Sequence, residues 1–212
     1  MFGNNITVIH KSGKDVQADC LEWADEIKKT YQPDLIIFIA KSGFLFAEPL
    51  SQKMKCPMAD LVAERPANES KNKLKPIINR LPDSLIDIIL SSPLMYRFNE
   101  KKVDRIVKET KSFKAITGNL YNRILVVDDS VDTGWTMAKC LDKIKNTFPD
   151  AEIKIAAYTL ISYSKKRVTV DYYRVEDTIV ITSTSRKSPE YLSFLSSYEN
   201  WEDSISSEIQ KK

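Results

Sequence analysis

The run 124–137, ILVVDDSVDTGWTM, holds most of the chemistry this chain offers. An apolar stretch ends in two adjacent carboxylates, Asp128 and Asp129, and a third, Asp132, stands just before Thr133, Gly134, Trp135 and Thr136. Hydroxyls and unpaired backbone N–H groups at a helix start suit a phosphate monoester, because the helix dipole and the free amides favour negative charge there. Neighbouring carboxylates at a strand end accept hydrogen bonds from sugar hydroxyls or help hold a hydrated Mg²⁺. Each piece also has a plainer reading, since an Asp before Thr-Gly can simply cap a helix. The whole combination in one unbroken string favours the phosphosugar site.

A second loop carries related signals. Lys41, Ser42 and Gly43 follow the run 34–40, DLIIFIA. Glycine is scarce, at five residues, and both Gly43 and Gly134 fall in loops that leave the most apolar runs. Glycine allows positive φ and close backbone approach to a ligand, although a tight strand-to-helix turn alone can also ask for it.

The elements that would position these loops alternate. A strand at 6–9 precedes a helix at 16–31, where Val16, Cys20, Leu21, Trp23, Ala24 and Ile27 recur at helical spacing and Pro33 stops the pattern. The run 34–40 is apolar on both faces, as expected of a central parallel strand covered by helices. A helix at 44–54 and a strand at 59–63 follow. After the stretch 65–114 the rhythm resumes with a strand at 123–127, a loop at 128–134, a helix at 135–147 and a strand at 153–161. Then come 168–173, a strand at 178–182 and a helix from 189 onward. This predicts an α/β fold with a mainly parallel central sheet flanked by helices, one domain over 1–212, with ligands at the carboxyl ends of the strands.

The stretch 65–114 breaks the alternation and is read as a partly helical insertion. It opens with Lys71, Lys73, Lys75 and Arg80 and continues into an apolar stretch at 81–95. The first reading is a lid that packs its apolar face on the core. The second is a surface for anionic lipid, giving peripheral membrane contact, or for a partner.

Composition removes several classes. Hydrophobic residues at 42% and charged residues at 29% are the balance of a folded globular chain. The net charge of +3 is too small to imply nucleic acid, so no DNA partner is expected. With one histidine, His10, multi-histidine metal sites are excluded, and a serine or cysteine triad would have to use it. The three cysteines, Cys20, Cys56 and Cys140, never fall in CxxC spacing and are read as buried reduced thiols. No run approaches the roughly 20 apolar residues of a membrane span, and a cytoplasmic protein is expected.

The string 124–137 resembles the phosphoribosyl pyrophosphate signature of the type I phosphoribosyltransferases, and Asp132 makes it nearest to the hypoxanthine/xanthine-guanine (purine) branch. The resemblance extends over 34–54 and 124–181. It implies the type I phosphoribosyltransferase fold, with a small hood at about 163–185. It also implies transfer of a 5-phosphoribosyl group from phosphoribosyl pyrophosphate, with Mg²⁺, to a purine base, releasing pyrophosphate. In the family the acids at Asp128 and Asp129 hold the ribose 2′ and 3′ hydroxyls, and metal contact there runs through those hydroxyls or water. The loop of Asp132, Thr133, Gly134, Trp135 and Thr136 wraps the 5′-phosphate, with Asp132 acting as the base that faces the acceptor. Lys41, Ser42 and Gly43 look like the pyrophosphate loop.

The run 170–181 is similar to the hood of purine enzymes, and Tyr172, Tyr173 and Ile179 are the acceptor-binding candidates, with Lys165 and Lys166 as candidates for reading a purine oxygen. Where those enzymes place a stacking aromatic, this chain has Ile179, Val180 and Ile181. A non-purine acceptor and a non-catalytic regulator that binds phosphoribosyl pyrophosphate are the alternatives. An aspartyl-phosphate chemistry on Asp128 and Asp129 would leave the Asp-Thr-Gly-x-Thr loop without a purpose. The family's habit of pairing carries over as an expected homodimer.

Overall fold

The computed structural model of the protein describes residues 6–64, 105–185 and 188–209. Eight strands and five helices follow in the order β1 (Thr7–His10), α1 (Gly13–Lys28), β2 (Leu35–Ala40), α2 (Phe44–Met54), β3 (Met58–Glu64), β4 (Ile106–Glu109), α3 (Lys111–Ile116), β5 (Arg123–Val131), α4 (Trp135–Thr147), β6 (Glu152–Leu160), β7 (Tyr172–Glu176), β8 (Thr178–Ile181) and α5 (Tyr191–Ile209). A 3₁₀ turn, Ser162–Lys166, joins β6 to β7. Among the described residues no helix is long and apolar enough to cross a membrane.

Six strands form one sheet in the order β4-β3-β2-β5-β6-β7, parallel throughout except for β4, which runs antiparallel to β3 at the edge. β2 is central as expected, and its residues split by parity. Ile36 and Phe38 join the core under α1, α2 and α5, while Leu35, Ile37 and Ile39 join the core under α3 and α4. β5 divides in the same way, Leu125 and Val127 on the first face and Ile124 and Val126 on the second. A strand packed on both faces has no polar side to give away, which explains its unbroken apolar reading.

The helices bury single stripes. α1 buries Val16, Cys20, Trp23, Ala24 and Ile27, and its start is fixed by a capping box between Ser12 and Asp15 worth about 1 kcal/mol. α5 turns Phe194, Tyr198 and Trp201 at helical spacing onto Phe38 and Phe44, with Phe44 ring centroids 5.5–6.4 Å from all three.

Three stretches differ from the sequence reading, the first being 128–131, expected as loop but continuing β5 to Val131 because its pairing with β6 runs on through Ser130 and Val131. The insertion reading at 65–114 runs into framework at its end: Ile106–Glu109 pairs with β3, and Thr110 caps α3, whose Phe113 is fully buried. The lid and lipid-surface readings rest on residues 65–104 and lie outside the described residues. The run 168–173 enters a strand only at Tyr172, because the Asp171 carboxylate accepts the Ile155 N–H at 2.9 Å and closes the turn first. β7 therefore extends the main sheet. Of the strands in the region 163–185, β8 alone leaves the main sheet, joining β1 in a separate two-stranded parallel ribbon.

Candidate functional site

At the carboxyl ends of β2, β3 and β5 lies a cleft of about 360 Å³ whose lining includes Ala40, Ser42, Ala63, Arg105 and every residue from Asp128 to Met137. The sequence string 128–137 is thus gathered into one concave surface, and part of the 41–43 loop faces it.

β5 continues past its apolar half and delivers Asp128 and Asp129 into the cleft. Asp128 is buried, and its Oδ1 accepts the Asp129 N–H at 2.9 Å. Burial, followed by the adjacent Asp129 charge, holds the Asp128 carboxyl well above the usual carboxylate range, and burial raises Asp129 too. Two desolvated acids side by side favour anything that brings hydrogen-bond donors or positive charge. Among the described residues no group of three or more His, Cys, Asp or Glu side chains forms a metal cage. The pair fits a Mg²⁺ that keeps its waters and is held largely by a phosphorylated substrate, the usual habit of that ion.

The loop beyond is built around Gly134, which has φ 76° and stands before α4 without any side-chain cap. The first intrahelical bond goes from Ala138 N–H to the Gly134 carbonyl at 2.9 Å. The preceding amides of the first turn have no intrahelical acceptor, and no acidic side chain occupies that turn. This is an anion-binding end of a 13-residue helix. Asp132 is exposed at the mouth, where the Ser130 hydroxyl donates to its carboxylate.

The second loop is tighter. The Ala40–Lys41 peptide is cis, and the Gly43 N–H returns to the Ile39 carbonyl at 3.0 Å. A β-carbon at Gly43 would lie 2.6 Å from that same carbonyl oxygen, so only glycine fits. Ala40 and Ser42 line the cleft, whereas the Lys41 ammonium sits 5.3 Å from the centroid of the Tyr198 ring on α5.

The acceptor candidates are placed elsewhere. The Tyr172 hydroxyl meets Thr30 Oγ1 at 2.9 Å, next to α1, and the ring packs on the first core. Tyr173 is exposed and its hydroxyl donates to Glu176, which also receives the Lys165 ammonium at 2.5 Å. Ile179 pairs with Val8 in the β1–β8 ribbon. None of the three lines the cleft. His10 closes the same ribbon against Ile181. The three cysteines are free and buried, and burial pushes their thiols up to about 11 at Cys56 and about 12 at Cys20 and Cys140, so they are inert.

Two residues escaped the sequence reading. Arg105 lines the cleft from the residue just before β4. The alternation around Ile106 and Val107, followed by Thr110 as a helix cap, was the available signal. Arg167 donates from Nη1 to the Thr133 carbonyl at 2.7 Å and stacks over the Trp135 ring at 4.3 Å. Nothing in its own surroundings, KKRV, announces that contact.

The sequence matches the family described as phosphoribosyl transferase domain over residues 10–187. In fold the chain is similar to a purine phosphoribosyltransferase from Pyrococcus horikoshii, with TM-score 0.57 and 19% identity over 82% of this chain and 92% of that one. It is similar to a xanthine-guanine-hypoxanthine phosphoribosyltransferase from Helicobacter pylori, with TM-score 0.60 and 14% identity over 90% and 99%. A hypothetical protein from Neisseria gonorrhoeae solved with bound ppGpp gives TM-score 0.58 and 17% identity over 93% and 99%. No curated protein matches the sequence.

Proposed function

This chain belongs to the phosphoribosyltransferase family, and from that premise we propose that it transfers a 5-phosphoribosyl group from phosphoribosyl pyrophosphate to a purine base in the cytoplasm, releasing pyrophosphate. The carrying observation is the single cleft in which the acid pair of β5, Asp128 buried and Asp129 half-buried, adjoins the uncapped start of α4.

In this reading Asp128 and Asp129 accept hydrogen bonds from the ribose 2′ and 3′ hydroxyls. The amides and hydroxyls of residues 132–136 hold the 5′-phosphate. The 41–43 loop receives the pyrophosphate through its backbone and Ser42. Mg²⁺, if held through water or the ribose hydroxyls near Asp128 and Asp129, would supply positive charge for the pyrophosphate. The bond between ribose C1 and the pyrophosphate oxygen breaks through an oxocarbenium-like transition state while the bond to an acceptor nitrogen forms. Asp132, exposed at the mouth, takes the proton that the nitrogen gives up. Most of the rate comes from orientation and from donors fixed around developing charge.

A second reading, a non-purine acceptor, is favoured by one observation. Tyr172, Tyr173 and Ile179 lie off the cleft, and β8 carries no aromatic side chain. The test is titration with phosphoribosyl pyrophosphate and Mg²⁺, followed by a pyrophosphate-release assay with hypoxanthine, guanine, xanthine and adenine. Binding with base-dependent release supports the purine reading. Binding without release moves the assignment to another acceptor or to a regulator, and no binding overturns it.

A further inference from the structure

The hood-side turn between β6 and β7 grips the 132–136 loop at three points. Arg167 donates to the Thr133 carbonyl at 2.7 Å and stacks on Trp135. Gly134 faces the same turn so closely that a β-carbon there would lie 3.1 Å from Val168 Cγ2 and 3.3 Å from the Arg167 β-carbon. The turn is itself anchored. The Ser162 N–H donates to Asp177 at 2.8 Å, the buried Ser164 hydroxyl donates to the Ile161 carbonyl at 2.8 Å, and the Ile161 N–H returns to Val131 at 3.1 Å.

We propose that Arg167 is a positioning residue for the phosphate-binding loop, acting through Thr133 and Trp135 and not on the ligand. The proposal rests on the reading that this loop holds the 5′-phosphate. A trans peptide is planar, so its C=O and N–H point opposite ways. With the Thr133 carbonyl drawn to Arg167, the Gly134 N–H is turned away from the hood-side turn. The guanidinium plane fixes the Trp135 ring at the first position of α4, which sets where the helix begins. A planar, permanently charged fork does both jobs together, and a lysine ammonium can do only the first.

Full-length wild type, Arg167→Met and Arg167→Lys would be titrated with ribose 5-phosphate and, separately, with inorganic pyrophosphate, both with Mg²⁺. Arg167→Met is expected to weaken ribose 5-phosphate at least tenfold while pyrophosphate, which needs the other loop, stays within twofold. Arg167→Lys is expected to recover part of the loss. Should Arg167→Met fail to fold, Trp135→Leu removes the stack from the other side and is expected to give the same contrast between ligands. Ribose 5-phosphate binding within twofold of wild type, or equal losses for both ligands, overturns the positioning role. Wild type binding neither ligand would instead bring down the phosphoribosyl site itself, and this role with it.

Discussion

The loops after β2 and after β5 occupy equivalent places at the carboxyl edge of the sheet, yet they use glycine for opposite reasons. Gly43 has an ordinary αR backbone (φ −57°) and is required because the chain folds back onto its own strand, where a β-carbon would lie 2.6 Å from the Ile39 oxygen. Gly134 has φ 76° and is required by its backbone conformation. The first loop offers the cleft mainly backbone and a serine. The second carries Asp132 and the start of α4, and it follows directly on Asp128 and Asp129 at the end of β5. One edge of the sheet thus yields a compact donor loop beside a loop that both attracts cations and donors and cradles an anion.

The largest expected effect tests that division directly. Asp128→Asn combined with Asp129→Asn should reduce turnover by about a thousandfold or more, since orientation and charge stabilisation are lost together. The fold should persist, as checked by circular dichroism and pyrophosphate release. Turnover near wild type would show that the β5 loop is not the reacting one. Asp132→Asn comes next, with a loss of roughly 10²–10⁴ in kcat, the range for a missing general base. An unchanged kcat would remove the proton-accepting role.

The two glycines sharpen the contrast. Gly43→Ala pushes on backbone and should cost about 1–3 kcal/mol in urea unfolding, with the binding loss falling on pyrophosphate. Gly134→Ala meets positive φ and the tip of Val168 and should cost about 1–2 kcal/mol, with the loss falling on ribose 5-phosphate. Interchanged losses would assign the two loops the other way round.

The smallest effect is thermal. The Asp128 carboxyl is raised in the folded state, so its stabilising contribution is full below the unfolded carboxylate pKa of about 3.9 and fades as pH climbs through the folded value. Asp128→Asn should therefore melt higher than wild type near neutral pH, by roughly 2–4 °C for each kcal/mol relieved, and the gap should close on acidification. A gap that widens at low pH would contradict the burial of the Asp128 carboxyl.

The site was legible where its parts are contiguous. Residues 124–137 combine a doubly buried strand, acids, hydroxyls and a positive-φ glycine in one reading frame, so local rules alone bring them together. Alternation likewise announced the central β2 and the helices on both faces. Legibility failed where partners meet only in space. Arg167 stands 34 residues from Thr133, and Arg105 reaches the cleft from a stretch whose polar opening masked the edge strand beginning at the next residue. Tyr172 and Tyr173, adjacent on one strand, had to face opposite ways, but only the packing of α1 beside β7 decides that Tyr172 joins Thr30 while Tyr173 faces solvent.

The three buried thiols make the protein its own clock. Cys20 and Cys56 lie in the core beneath α1 and α2, and Cys140 lies in the core beneath α4. An alkylating reagent can reach each sulfur only when its layer parts, so the rates at which the three are trapped time the breathing of the two sides of the sheet separately.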